Sequence, residues 1–209
     1  MTIIYLVRHG ESQANVERVF SNGRVDLPLT ARGLRQAEQV AAWLEGRGLA
    51  HVFTSPLLRA RQTAAVIGRR LGLDVSVLAD LDEIRVGDLD GQRGPESWAI
   101  HDRVLARWRA GDRAAAFPGG ETFGQACDRF AGALRAIAQR YPDHAVAAVT
   151  HGAIQGTVLP RLCPALGEHI AGGALSWSLR NGAITCLEVS AQGFTCRVWG
   201  HTGHISAED

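Results

Sequence analysis

Leu6-Val7-Arg8-His9-Gly10-Glu11-Ser12 is the stretch from which the fold is read. The apolar run from Ile3 to Val7 predicts a strand buried on both faces, as in a parallel sheet. It runs out into a guanidinium, an imidazole and a glycine, and the carboxyl ends of strands are where open α/β sheets hold their ligands. An imidazole placed there can serve as nucleophile, base or metal ligand. A guanidinium beside it favours an anion over a metal.

Outward from that strand, which spans residues 2 to 8, the pattern alternates strand and helix. Thr30, after the turn-like Asp26-Leu27-Pro28-Leu29, is a good N-cap for an amphipathic helix running to about Glu45. His51 to Thr54 is a short strand. Ser55-Pro56 then reads as the cap and first turn of a helix through Leu71. Asp74 to Leu78 is a third strand, and Gly87 to Gly94 a glycine-rich loop. Helices are expected over about Glu96 to Ala110 and Glu121 to Tyr141, divided by Pro118-Gly119-Gly120. Ala145 to Thr150 is a fully apolar strand ending on His151. Closing strands are expected at Ser176 to Leu179, Ala183 to Val189 and Phe194 to Trp199, the last two forming a hairpin through Ala191-Gln192-Gly193. No linker or repeat interrupts the pattern. The expectation over residues 1 to 209 is a single α/β domain of three layers, with helices on both faces of a mostly parallel sheet.

Composition narrows the chemistry. The chain has 209 residues, 46% hydrophobic and 21% charged, and a net charge of +1. That is an ordinary globular make-up, with no broad electrostatic footprint for nucleic acid or an anionic membrane. No run approaches a membrane span and no leader precedes the first strand, which points to the cytoplasm. All 22 basic residues are arginines, so Schiff-base chemistry and phosphate-loop nucleotide binding, which rely on lysine, are not expected. Cys127, Cys163, Cys186 and Cys196 form no close metal-type pair, and reduced structural thiols are expected of them.

Four segments place useful side chains just past a predicted strand: Arg8 and His9; Ser55 through Arg59; Leu81 through Gly87; and Thr150-His151-Gly152. In a parallel sheet these ends share one edge. Two guanidiniums and two imidazoles around one point suit a phosphoryl dianion, because the planar fork of arginine matches phosphate oxygens.

Arg8-His9-Gly10-Glu11 with Asn15 resembles the signature of the histidine phosphatase superfamily, which also contains the cofactor-dependent phosphoglycerate mutases. The similarity continues through Asn22-Gly23-Arg24-Val25-Asp26-Leu27-Pro28-Leu29-Thr30, Ser55 to Ala64, Glu83 with Gly87 and Gly91, Pro118-Gly119-Gly120-Glu121-Thr122, and Val149-Thr150-His151-Gly152. The resemblance implies a metal-independent, histidine acid-type phosphatase without a cofactor, acting on a small phosphorylated metabolite. By the same resemblance His9 would attack phosphorus and carry it as phosphohistidine. Arg8, Arg59 and His151 would hold the phosphoryl oxygens, and Glu83 would protonate the leaving group. Asn15, Asn22, Gly23, Glu121 and Thr122 would contribute to binding. Glu83 is selected from among Asp80, Asp82, Asp88 and Asp90 only by this resemblance, and capping a helix suits Glu121 and Thr122 at least as well. Cationic surroundings are expected to lower the pKa of His9.

Two other functions remain open on these residues. In the mutases the acid loop carries a tyrosine before its first glycine and an asparagine-lysine pair after its second. Val86, Gln92 and Arg93 stand here instead, which favours hydrolysis over isomerisation. A non-catalytic phospho-ligand binder is disfavoured because His9 and Glu83 are both present. The segment from about 92 to 123, with Trp98, Arg103, Arg107, Trp108 and Arg109, is expected to form a helical insertion that roofs the pocket and sets specificity. Arg61 is assigned to packing or solvent, and His51, His101, His144 and His169 to surface or core. His201 and His204 belong to an expected mobile tail over about 200 to 209. The chain is expected to be a monomer or homodimer.

Overall fold

The computed structural model describes residues 1–206; the last three residues of the expected tail lie outside them. Among the described residues six strands form one sheet, in the order β3-β2-β4-β1-β5-β6. They are β1 (Thr2–Arg8), β2 (Leu49–Thr54), β3 (Val75–Val77), β4 (Ala145–Thr150), β5 (Ile184–Ser190) and β6 (Gly193–His201). The pairings β1 with β4, β4 with β2 and β2 with β3 are parallel, while β5 runs antiparallel to both β1 and β6.

Side-chain alternation on the central strands divides the core into two layers. Ile4, Leu6, Phe53, Val146 and Ala148 face one way. They pack beneath α4 (Pro95–Arg109), α5 (Phe123–Arg140) and α6 (Gly152–Leu162), whose Trp108, Phe130, Leu134 and Val158 are buried. Val7, Val52, Ala147 and Val149 face the other way, against α2 (Ala31–Leu44) and α3 (Leu58–Leu71). This is the expected three-layer architecture.

The arrangement of helices fixes the location of the site. Adjacent parallel strands β1 and β4 are paired to their ends, Arg8 opposite Thr150. The chain leaving β1 leads to α2 on one face of the sheet, and the chain leaving β4 leads to α6 on the other. The chain thus parts between them, and this is the switch point where α/β sheets open a crevice. His9 and His151 are the first residues past these two strands, and the His9 amide donates to the Thr150 carbonyl at 3.1 Å.

Several local expectations need correction. Ser176 to Leu179 forms no strand and is an irregular segment; its apolar residues face a pocket rather than the sheet. Ser55 does not cap α3, which starts at Leu58 with Leu57 in the N-cap position. The Leu58 amide at that end donates to Asp26 at 2.9 and 3.0 Å. The short α1 (Gln13–Glu17), α6 and α7 (Pro164–Ala171) were not foreseen. The described part of the tail is docked, not mobile: the His201 and His204 rings lie 5.4 and 5.7 Å from Trp43, and His204 is hydrogen-bonded to the Gly182 carbonyl at 3.0 Å.

Candidate active site

The loop after β1 lies on the start of α2 at a distance that only glycine permits. A Cβ on Gly10 would stand 2.2 Å from the Gly33 carbonyl oxygen, and one on Gly33 would stand 1.9 Å from that of Glu11. Thr30 caps α2 as expected and also donates to the Glu11 carboxylate at 2.9 Å. This packing holds His9 still. The His9 ring is buried, with Nδ1 2.6 Å from the Gly10 carbonyl and Nε2 3.1 Å from Arg59 Nε.

These two contacts select one tautomer. A carbonyl can only accept, so Nδ1 carries the hydrogen; a guanidinium can only donate, so Nε2 presents its lone pair. Burial is the largest reason that His9 titrates well below 6.5, followed by the charges of Arg59 and Arg8. The imidazole is therefore neutral and nucleophilic near neutral pH.

Arg59 reaches His9 from the first turn of α3 and also donates from Nη1 to the Ser21 carbonyl at 2.6 Å. Arg8 donates to the Leu179 carbonyl and passes directly over Gly152, where a Cβ would be 3.0 Å from its Nε. The Arg8 Nε has no hydrogen-bond partner among the described residues. His151 lies one layer deeper, fully buried, its ring centroid 5.2 Å from that of His9. Its Nε2 is 2.7 Å from Ser55 Oγ, and its buried Nδ1 is bonded to nothing among the described residues. Burial, then the charge of Arg59, holds His151 well below its ordinary pKa.

Glu83 is held by the N-terminus of α6. Its Oε1 accepts from the Ile154 amide at 2.7 Å and the Ile84 amide at 2.9 Å, while Oε2 accepts from the Ala153 amide at 3.1 Å. Two amides occupy the two lone pairs of Oε1, and Oε2 keeps one lone pair available to a proton. None of the four competing aspartates lines the cavity. Asp90 binds the amides of Asn22 and Arg24 at 2.9 and 2.7 Å. Asp82 stands behind the site, its Oδ1 3.4 Å from Ser55 Oγ and 3.9 Å from His151 Nε2. Burial pushes the Asp82 carboxyl up to about 6.

Arg8, His9, Arg59 and Glu83 line one end of a cavity of about 360 Å³, together with Asn15 and Asn22. The Asn15 side-chain oxygen is taken up by Ser12 and Asn181, which leaves its amide hydrogens to donate. Asn22 donates to the Ile84 carbonyl. His151, Gly23, Glu121 and Thr122 do not line the cavity. Thr122 caps α5. Glu121 pairs with Arg129 at 2.7 Å, both side chains buried. Arg129 also donates to the carbonyls of Asp80, Asp82 and Glu83, at 3.0, 3.0 and 3.2 Å. Glu121 thus supports the acid loop from behind. A buried carboxylate needs a charged partner, and Arg129, eight residues along, is the signal that could have shown this.

Of the five residues expected in the roof, Trp98 and Arg109 line the cavity, and His101, expected at the surface or in the core, joins them. Trp98, His101, Leu105 and Arg109 line the cavity, a spacing of three or four residues that places them on one face of α4. Arg103 and Arg107 do not, and Trp108 is wholly buried in the core. Phe20, Trp177 and Leu179 complete this end. The sequence carried no sign of their involvement, because Phe20 is a loop residue without periodicity and Trp177 and Leu179 belong to the run read as a strand.

Comparisons with known proteins give the family. The profile described as "Histidine phosphatase superfamily (branch 1)" matches residues 4–202. The chain belongs to that superfamily. Among curated relatives, a probable phosphoglycerate mutase, GpmB, of Cronobacter sakazakii is 32% identical over 99% of this chain and 96% of its own length. An uncharacterized phosphatase, PhoE, of Bacillus subtilis is 30% identical over 99% and 98%. Among solved structures, YhfR of Bacillus stearothermophilus superposes with a TM-score of 0.81 at 27% identity, covering 99% of this chain and 100% of that one. A mycobacterial glucosyl-3-phosphoglycerate phosphatase, solved with VO3, gives 0.79 at 26% identity, covering 96% and 99%. No helix among the described residues is long and apolar enough to cross a membrane, and among them no group of three or more His, Cys, Asp or Glu side chains could hold a metal ion.

Proposed function

We propose that the protein is a phosphomonoester hydrolase that works through a phosphohistidine on His9 and uses arginines where other phosphatases use metal. The observation that carries this reading is the His9 tautomer. Its Nδ1 hydrogen is tied to the Gly10 carbonyl, and its Nε2 lone pair faces Arg59 in a cavity that Arg8 and Glu83 also line.

In the first step Nε2 attacks phosphorus, the N–P bond forms and the ester P–O bond breaks. Glu83 gives its proton, carried on Oε2, to the departing alkoxide. In the second step water gives a proton back to Glu83 and its oxygen bonds to phosphorus. The N–P bond breaks and inorganic phosphate leaves. Arg8 and Arg59 neutralise the phosphoryl oxygens throughout, the main task of a protein in phosphoryl transfer. Asn15 is assigned to the same oxygens through its amide; His151 does not line the cavity, and its assignment to them rests on the family resemblance and on its unbonded Nδ1.

The test is hydrolysis of a chromogenic aryl phosphate in excess chelator, joined to an alkaline quench that preserves phosphohistidine. The expected result is turnover and one added phosphoryl group on the peptide containing His9. Strict metal dependence, or label on another residue, would overturn the mechanism.

Isomerisation of phosphoglycerate is the second reading, because the Cronobacter relative is named a probable mutase. Against it stands Val86, a buried apolar residue lining the pocket where the mutases carry a tyrosine. Assays run side by side should show phosphate release outpacing isomerisation; the reverse would reassign the activity.

A further inference from the structure

The cavity has two unlike ends. Four of its lining side chains carry a formal charge at neutral pH: Arg8, Arg59, Glu83 and Arg109. The first three surround His9, while Arg109 stands in the other half, among aromatic and aliphatic groups. One wall of that half is a cluster of three rings. Phe20 lies 4.4 Å from Trp98 and 5.2 Å from His101, and those two are 5.1 Å apart, centroid to centroid. Trp98 is fixed by its indole nitrogen, which donates to the Arg18 carbonyl at 3.1 Å. Trp177 and Leu179 come from the irregular segment before β5, and the Trp177 ring carries the Arg109 guanidinium 5.6 Å from its centroid. Arg109 forms no ion pair among the described residues.

Resting on the hydrolase reading, we propose that the substrate is the phosphate monoester of an alcohol with a flat, apolar ring body, and that Arg109 pairs with an anionic group on the far side of that ring. A three-carbon phosphorylated acid or a polyol phosphate has no apolar surface to bury against these rings. It would leave Phe20, Trp98 and Trp177 wetted and unused. A planar ring removes apolar surface from water on both of its faces and gains offset or edge contacts with the aromatic cluster. Arg109, exposed and with its guanidinium 5.6 Å from the Trp177 ring centroid, keeps donors for a carboxylate or second phosphate.

The experiment must separate ring recognition from leaving-group reactivity, so it compares esters of primary alcohols only. These are glycerol 3-phosphate, benzyl phosphate and 4-(phosphonooxymethyl)benzoate. Benzyl phosphate should exceed glycerol 3-phosphate in kcat/KM by about tenfold to a hundredfold. Trp98→Ala should shrink that ratio by about tenfold. The carboxylate should add about threefold more, a gain that fades in high salt and disappears in Arg109→Gln. Benzylphosphonate and methylphosphonate, which cannot be hydrolysed, supply the same comparison as dissociation constants. Equal binding of the two phosphonates, or a ring preference that survives Trp98→Ala, would overturn the proposal. A ring preference in binding with no turnover of any ester would keep it and remove the hydrolase reading instead.

Discussion

The two ends of the cavity are built on different principles. At the His9 end, backbone groups fix the side chains: His9 on the Gly10 carbonyl, Arg59 on the Ser21 carbonyl, Glu83 on the amides of α6. At the α4 end, shape does the fixing, through rings packed tilted or edge-on against one another and a guanidinium over an indole. The first end has a single geometry, because every displacement breaks a buried hydrogen bond. The second can be re-cut by substitution without disturbing the first. Chemistry that must stay constant is thus anchored to the sheet, and selectivity that can vary is placed on a helix above it.

That contrast predicts a graded set of effects. His9→Ala should lower kcat by about 10⁴-fold or more, because nucleophile and phosphoryl carrier vanish together. Melting should stay cooperative, and activity within tenfold of wild type would remove His9 from the mechanism. Arg129→Ala, outside the cavity, should destabilise by about 3–5 kcal/mol, since it strands the buried Glu121 carboxylate. The check is the denaturation midpoint, with an unchanged midpoint counting against a structural role. Glu83→Gln should slow alkyl phosphates by about 10²–10⁴-fold and activated aryl phosphates far less. Equal loss for both would point to another acid.

A smaller effect tests the electrostatics behind His151. The folded state raises the Asp82 carboxyl from 3.8 to about 6, so it favours the protonated form. That contribution to stability is complete below pH 3.8 and is lost as pH rises through about 6. Asp82→Asn stays neutral, and should raise stability at pH 8 by on the order of 2–3 kcal/mol while gaining nothing near pH 4. His9 and His151 act in the opposite sense. Their depressed values mean that their contribution is full above 6.5 and is lost as pH falls below it. Thermal melts of the wild type and the variant across that range measure both. Arg103→Ala should change least, within about 0.5 kcal/mol and with unaltered kcat/KM, because that exposed side chain is outside the cavity. Any loss of turnover would return it to the roof.

The sequence by itself determined the sheet and its working edge. The runs at 2–8, 51–54 and 145–150 are apolar enough to be strands only in a sheet covered on both faces, and each is followed at once by a polar residue of the site. A strand's direction and end are local properties, so Arg8, His9, Arg59 and His151 could be brought to one edge before any coordinates. The proximity of Gly10 to Gly33, the removal of Glu121 to a buried pair and the seating of Glu83 on the amides of α6 were decided only by tertiary packing. So was the arrival of Phe20 and Trp177 beside the expected Trp98. Those facts depend on which groups meet across long separations in the chain, and neither periodicity nor spacing encodes such meetings. An apolar residue in a loop looks the same in a sequence whether it lines a pocket, as Leu179 does, or forms a strand, as the run from Ser176 to Leu179 was expected to do.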